Sequence, residues 1–337
     1  MDCKFDKNFW WGAASSGPQT EGYYNKAHLN IMDLWYKTDP QDFFDGIGPF
    51  TASEFCKYYR DDIAKFKELG FNSFRTSLQW CRLIDDFSKG TVNKEGREFY
   101  DNLINALLDN GITPLINLYH FDMPADLFLK YEGWLSRDVI DMFVKYAQTA
   151  FELFGDRVKY WSVINEPIVQ PEAGYLYGFH YPKYVGKGAE AVQMIYNLAF
   201  ATSKTIEAFR KSKAYKNGGQ ISTILNLTPT YTPTDSPEDK KAREFVDDFF
   251  NNVFVESAIN GTFPPNLVEA LKRDNVLWKT QNRDAEIIRD NTVDFLGVNY
   301  YHPRRIQARK DPLPKEFQGA WMPDIYFQDY EWPDRRM

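Results

Sequence analysis

The group most able to do chemistry in this sequence is a carboxyl at the end of an apolar strand. Residues Trp161 to Pro167 read W-S-V-I-N-E-P, so an apolar run opens into Asn165-Glu166-Pro167. A carboxyl in a partly dry pocket has its charged form disfavoured and can serve as an acid near neutral pH. The competing reading is a strand-end glutamate that is solvated or paired with an arginine, and spacing alone favours that one. Residues Leu118 to Pro124, L-Y-H-F-D-M-P, place His120 beside Asp122. A lone histidine there is usually a hydrogen-bonding group. The chain has 4 His and no second His or Cys at ligand spacing, so no metal site is expected. Arg75 and Gln19 also fall near strand ends. Alone, Arg75 reads as a salt bridge to Glu166 and Gln19 as the cap of the following turn.

These groups need a frame that brings strand ends together. Six apolar segments read as buried strands: Phe9 to Ala14, Ser73 to Trp80, Thr113 to His120, Tyr160 to Glu166, Ile221 to Leu227 and Val293 to Tyr300. Amphipathic helices are expected over Thr51 to Leu69, Lys94 to Asp109 and Arg137 to Phe154, the last capped by Ser136 and stopped by Gly155. Another opens at Ser236-Pro237, with serine at the cap and proline in the first turn. Strand and helix in alternation mean right-handed crossovers and a parallel sheet. No Gly-x-Gly-x-x-Gly follows an early strand, which argues against a dinucleotide fold. Polar residues gather instead at the C-terminal strand ends: Arg75, His120, Asn165, Glu166, Asn299, Tyr300 and Tyr301. In an α/β barrel, a (β/α)8 TIM barrel, those ends share one mouth.

Composition narrows the role. With 337 residues and 43% hydrophobic content, the chain can bury a large core. The net charge of −7 opposes nucleic-acid or anionic-membrane binding, which needs concentrated positive charge. Aromatic residues reach 17%, which suits a large core or a pocket for sugar faces. The N-terminus has no signal-peptide core, and no apolar run of about 18 residues occurs. The 3 Cys are read as reduced structural or surface thiols, so a cytoplasmic protein is expected.

The chain resembles glycoside hydrolase family 1, the retaining β-glucosidases and 6-phospho-β-glucosidases. The resemblance rests on F-W-W-G-A-A-S-S-G-P-Q-T-E-G with Gln19 and Glu21, on F-R-T-S-L-Q-W with Arg75, and on L-Y-H-F-D-M-P. It continues through Asn165-Glu166-Pro167, D-F-L-G-V-N-Y-Y ending at Tyr301, and the closing E-W-P-D-R-R-M. It implies Glu166 as acid/base, with Asn165 on the sugar 2-hydroxyl and Gln19 and His120 on other ring hydroxyls. Arg75 and Tyr301 would support a nucleophilic carboxylate. It implies no cofactor, a small-molecule β-glycoside as partner, and a single glycosidase barrel domain over residues 1–337, incomplete at its C-terminus. Homo-oligomerisation is left open.

Retention needs a second carboxylate about 5 to 5.5 Å from the first. The family's is the glutamate of an Ile-Thr-Glu-Asn-Gly-like segment on strand seven. No such segment occurs before Met337, and Glu331 is not proposed in its place. About six of the eight strands are therefore expected here, with the nucleophile beyond residue 337 in a longer polypeptide. A carbohydrate-binding pseudoenzyme is a competing reading. A Schiff-base lyase is disfavoured because no strand end offers a lysine. The phrasing S-L-Q-W-C-R-L-I-D-D and N-E-P-I-V, followed by G-Y-L-Y-G-F-H-Y-P, is closer to bacterial 6-phospho-β-glucosidases, so a phosphorylated substrate such as cellobiose 6-phosphate is favoured. The loop Ile168 to Gly188 is expected to line the aglycone side, with core packing of Tyr175 and Phe179 equally open. Arg304-Arg305 and Arg309-Lys310 are expected in a solvated loop. The isolated 337-residue chain is expected to show no hydrolysis of aryl β-glucosides; turnover that vanishes in Glu166→Gln would overturn this.

Overall fold

The computed structural model describes residues 4–331. Cys3 and the stretch after Glu331, including most of E-W-P-D-R-R-M, lie outside the described residues. The six expected strands are present as β1 (Gly12–Ala14), β2 (Ser73–Ser77), β3 (Thr113–Tyr119), β4 (Tyr160–Asn165), β5 (Gln220–Asn226) and β6 (Phe295–Asn299). The principal helices are α1 (Phe55–Glu68), α2 (Lys94–Asp109), α3 (Arg137–Phe154), α4 (Gly188–Lys211) and α5 (Pro237–Asp247). By density of contacts the chain divides into two compact units, one of residues 4–130, 142–163 and 208–221, the other of 131–141, 164–207 and 222–331.

In the first unit β1, β2 and β3 lie parallel in chain order, with Gly12 opposite Ser73 and Ser73 opposite Thr113. Strand β3 is buried without a break from Ile116 to Tyr119, as a sheet covered on both faces requires. Tyr146 of α3 fixes two strand ends together: its hydroxyl donates to the carbonyls of Leu118 at 3.0 Å and Leu78 at 3.3 Å. Trp80 stacks on the same ring, with centroids 5.5 Å apart.

In the second unit β5 and β6 are parallel, Ser222 facing Phe295 and Asn226 facing Asn299. The last residues of β4 lie beside β5, where the Thr223 hydroxyl donates to the Ile164 carbonyl at 2.9 Å. Helix α5 opens as expected, with the Ser236 side chain accepting from the Asp239 amide. A three-stranded sheet joins Thr230–Tyr231, Arg304–Ala308 and Phe327–Asp329.

Several boundaries differ from expectation, each for a local reason. Helix α1 starts at Phe55, because Ala52 (φ 49°) and Glu54 (φ 50°) are left-handed and cannot continue a helix backwards. Strand β2 stops at Ser77, since Trp80–Leu83 forms a helical turn. The 24-residue α4 is absent from the sequence reading. Val192, Ile195, Tyr196, Leu198, Ala199 and Phe200 are all buried, so this helix is covered on most sides and its apolar period is blurred. The arginine cluster is corrected too: Arg304 and Arg309 belong to or border a strand, with side chains only 19% and 14% exposed, not a solvated loop. Cys56 and Cys81 are free thiols and both buried.

Strand β1 depends on a close approach that only glycine permits. A Cβ on Gly12 would sit 1.9 Å from the Ser73 carbonyl oxygen. Gly12→Ala is expected to destabilise the chain by about 1–3 kcal/mol in urea unfolding, the usual cost of overpacking; unchanged stability would show that β1 can shift freely.

Candidate active site

Strand β4 carries Trp161, Val163 and Ile164 fully buried, and this apolar run draws Asn165 and Glu166 in behind it, 1% and 6% exposed. The chain must turn sharply here, and Glu166 does so with φ +48°, in the left-handed region. A side chain there costs about 1–3 kcal/mol and persists only where neighbours hold it. The Glu166 amide donates to the Ile224 carbonyl at 2.7 Å, and its carbonyl accepts from the Val169 amide at 3.0 Å. Its carboxyl Oε1 accepts from the Tyr301 hydroxyl at 2.8 Å and from Asn299 Nδ2 at 2.5 Å. Asn299 Nδ2 also reaches Asn165 Oδ1 at 3.2 Å. Of the expected site residues, Asn165, Glu166 and Tyr301 are thus brought together within the second unit. Tyr301, expected to support a second carboxylate, here donates to Glu166.

Gln19, Arg75 and His120 belong to the first unit. Gln19 sits on the turn Gly17–Thr20, where its Oε1 accepts from the Ser16 hydroxyl at 2.7 Å. That turn is moored to the end of β2 by Gly17, whose amide donates to Ser77 Oγ at 2.8 Å. Below it, buried Glu21 accepts from Arg82 Nε at 2.8 Å, Gln79 Nε2 at 2.7 Å and the Tyr100 hydroxyl at 3.1 Å. His120 follows β3 and is buried; its amide donates to Asp122 Oδ1 at 2.9 Å, while Asp122 Oδ2 accepts from the Trp80 amide at 3.0 Å. Burial, with the Arg75 cation nearby, pushes the His120 imidazole down to about 3, so it is neutral at physiological pH. Burial pushes Asp122 up to about 6 against three backbone donors.

Two features escaped the sequence reading. Asn299 stands at a strand end where the sequence alone gives it no role, although it contacts both Asn165 and Glu166. The loop after Glu166 is not irregular: it holds a helical turn, Val169–Pro171, and a π-helical turn, Glu172–Leu176. Tyr175 is buried there, whereas Phe179 is 75% exposed and stacks near Tyr177.

The model of glycosyl hydrolase family 1 matches residues 1–322. The chain belongs to glycosyl hydrolase family 1. It is 45% identical over 336 residues to the 6-phospho-beta-glucosidase GmuD of Bacillus subtilis, covering 99% of this chain and 70% of that one. It is 32% identical to the aryl-phospho-beta-D-glucosidase BglC of the same organism, covering 94% and 65%. Among solved structures, a Thermotoga maritima β-glucosidase in complex with cyclophellitol matches with TM-score 0.83 and 29% identity, over 98% of this chain and 70% of that one. An Exiguobacterium marinum β-glucosidase matches with TM-score 0.85 and 28% identity, over 99% and 72%. The family 1 fold is the (β/α)8 TIM barrel, and the described residues supply six of its strands.

The pair at the end of β3 gives the stability of the fold a pH signature. His120, lowered in the fold, contributes stability above the unfolded value near 6.5 that is lost as pH falls toward 3. Asp122, raised in the fold, contributes stability at low pH that is lost as pH rises through about 6. Between pH 7 and pH 5 the two oppose each other. His120→Gln is expected to shrink the loss of stability on going from pH 7 to pH 5, and Asp122→Asn to enlarge it, read by urea unfolding at both values. Shifts of the same sign in the two variants would rule this out.

Proposed function

We propose that this chain carries the acid/base side of a retaining β-glycosidase that cleaves 6-phosphorylated β-glucosides such as cellobiose 6-phosphate. The observation that carries the reading is the carboxyl of Glu166, buried at the end of β4 and bonded by Asn299 Nδ2. In this reading Glu166 protonates the glycosidic oxygen as the aglycone leaves and then takes a proton from the attacking water. Asn165 bonds the sugar 2-hydroxyl. Gln19 and His120 bond other hydroxyls, and His120 does so as a neutral imidazole, because its proton is lost far below neutral pH. Arg75 and Tyr301 keep the nucleophilic carboxylate, expected beyond residue 337, charged and aimed.

Identity to GmuD, whose name gives a 6-phospho-beta-glucosidase, supports the phosphorylated substrate over the free sugar. A cytoplasmic site of action fits that chemistry, since sugars phosphorylated on uptake are cleaved inside the cell. The reading needs no cofactor, nucleic acid or membrane, and takes residues 1–337 as part of one barrel domain. Among the described residues, no helix is long and apolar enough to cross a membrane.

The test is steady-state kinetics of the natural polypeptide that carries these residues, on p-nitrophenyl β-glucoside with and without a 6-phosphate. The phosphorylated substrate is expected to win by at least about tenfold in kcat/KM, the equivalent of roughly 1.4 kcal/mol. Glu166→Gln is expected to lower the rate by about 10²- to 10⁴-fold, the range of general acid–base catalysis. Equal rates on the two sugars would overturn the substrate, and an active Glu166→Gln would overturn the mechanism.

A further inference from the structure

We propose that buried Glu21 and Gln79 are positioning residues for Gln19, acting by fixing the far end of the turn on which it stands; this rests on reading Gln19 as a contact to a substrate hydroxyl. The turn Gly17–Thr20 has four residues, too few to hold a helical shape unaided. Gln19 is exposed, and the Ser16 hydroxyl donates to its Oε1 at 2.7 Å. Ser16 caps the same turn, so that bond moves with the turn and cannot aim it. The direction of the Gln19 carboxamide is set by what fixes the two ends.

Both ends are tied to the segment that leaves β2. At the first, the Gly17 amide donates to Ser77 Oγ at 2.8 Å. At the second, the Glu21 amide donates to the Gly17 carbonyl at 2.9 Å, and the Glu21 carbonyl accepts from the Cys56 amide at 3.3 Å. The Glu21 carboxylate then takes three donors: Gln79 Nε2 at 2.7 Å, Arg82 Nε at 2.8 Å and the Tyr100 hydroxyl at 3.1 Å. Arg82 reaches further, through Nη2 to the Gly22 carbonyl at 2.9 Å and through Nη1 to the Tyr24 carbonyl. Gln79 and Arg82 follow β2 directly, and Tyr100 lies on α2.

Gln79 joins this cluster to a second buried ion pair. While its Nε2 serves Glu21, its Oε1 accepts from Asn30 Nδ2 at 3.1 Å. Asn30 is locked to Asp33: the Asn30 amide donates to Asp33 Oδ2 at 2.8 Å, and the Asp33 amide to Asn30 Oδ1 at 2.9 Å. Asp33 pairs in turn with Lys26, both side chains almost fully buried. A reversed Gln79 carboxamide would set donor against donor at Asn30, so its orientation is forced. It also packs on the turn without slack, since a Cβ added to Gly17 would lie 2.5 Å from Gln79 Cγ. Apolar residues of similar volume often stabilise a fold as well as buried ion pairs do. Apolar packing lacks direction, whereas a carboxylate with three charge-assisted or polar donors resists both sliding and rotation of the turn. That is what a carboxamide with one required direction needs.

The test is a double-mutant cycle on the natural polypeptide that carries these residues. It is read as kcat/KM on whichever of p-nitrophenyl β-glucoside and its 6-phosphate is turned over faster. Gln19→Ala is expected to cost about tenfold, and Glu21→Gln and Gln79→Met about three- to tenfold each. Gln79→Met leaves the Glu21–Arg82 pair intact and carries the test should Glu21→Gln not fold. In the Gln19→Ala background either change is expected to cost no more than about twofold further, because the group it aims is gone. Losses that multiply in full overturn the positioning role, as does a folded Gln79→Met with wild-type kcat/KM. A Gln19→Ala variant of wild-type activity overturns the sugar contact instead, and a wild-type polypeptide that cleaves neither substrate overturns the functional reading beneath both.

Discussion

The backbone of Glu166 is held in a conformation that its side chain disfavours, and the geometry of the catalytic edge follows from that. At φ +48° the chain leaves β4 in a tight turn and does not run on as strand. The turn persists because both backbone groups of Glu166 are bonded, the amide to Ile224 and the carbonyl to Val169. Those partners exist only because the apolar residues of β4 and β5 are packed into the interior. Hydrophobic burial thus supplies the energy, and the strained residue converts it into a direction for one carboxyl.

A different kind of order prevails around Gln19 and His120. There the polar groups are arranged on buried charges that are well satisfied. Glu21 accepts from three side chains, and Asp122 accepts the amides of His120 and Trp80. A buried carboxylate with several donors fixes the loop that supplies them, because letting go of any one strands part of the charge. The turn bearing Gln19 and the residue His120 are therefore set by groups that do no chemistry themselves. His120 stays neutral for the same reason that it is well placed: burial and the Arg75 cation both oppose a charge on it.

What was legible in the sequence follows how local each signal was. Strands β3 and β4 and helices α2 and α3 were readable almost to the residue, since period and cap lie within the element itself. The cap at Ser236 was readable for the same reason. Helix α4 was not, because burial on most sides removes the contrast between faces on which the reading depends. Glu166 and His120 could be singled out as strand-end polar residues, and the family resemblance supplied their roles; Arg75, expected at a strand end too, lies in the middle of β2. Asn299 could not be assigned a role, since it acquires one from a residue about 130 positions away.

The ion pair of Arg304 with Glu172 bears on where a phosphate could be recognised. Three arginines and a lysine near one another in a sequence invite the idea of an anion site. Arg304, however, has a carboxylate on one edge and the Phe250 ring against its face. Arg309 is spent on the backbone carbonyls of Asp324 and Phe327 and lies near the Asp324 carboxylate. A guanidinium already neutralised and stacked offers an incoming phosphate little net attraction, and displacing its partner would leave that carboxylate buried and unpaired. Arg304 and Arg309 are therefore committed to partners within the chain and are poor candidates for a phosphate site.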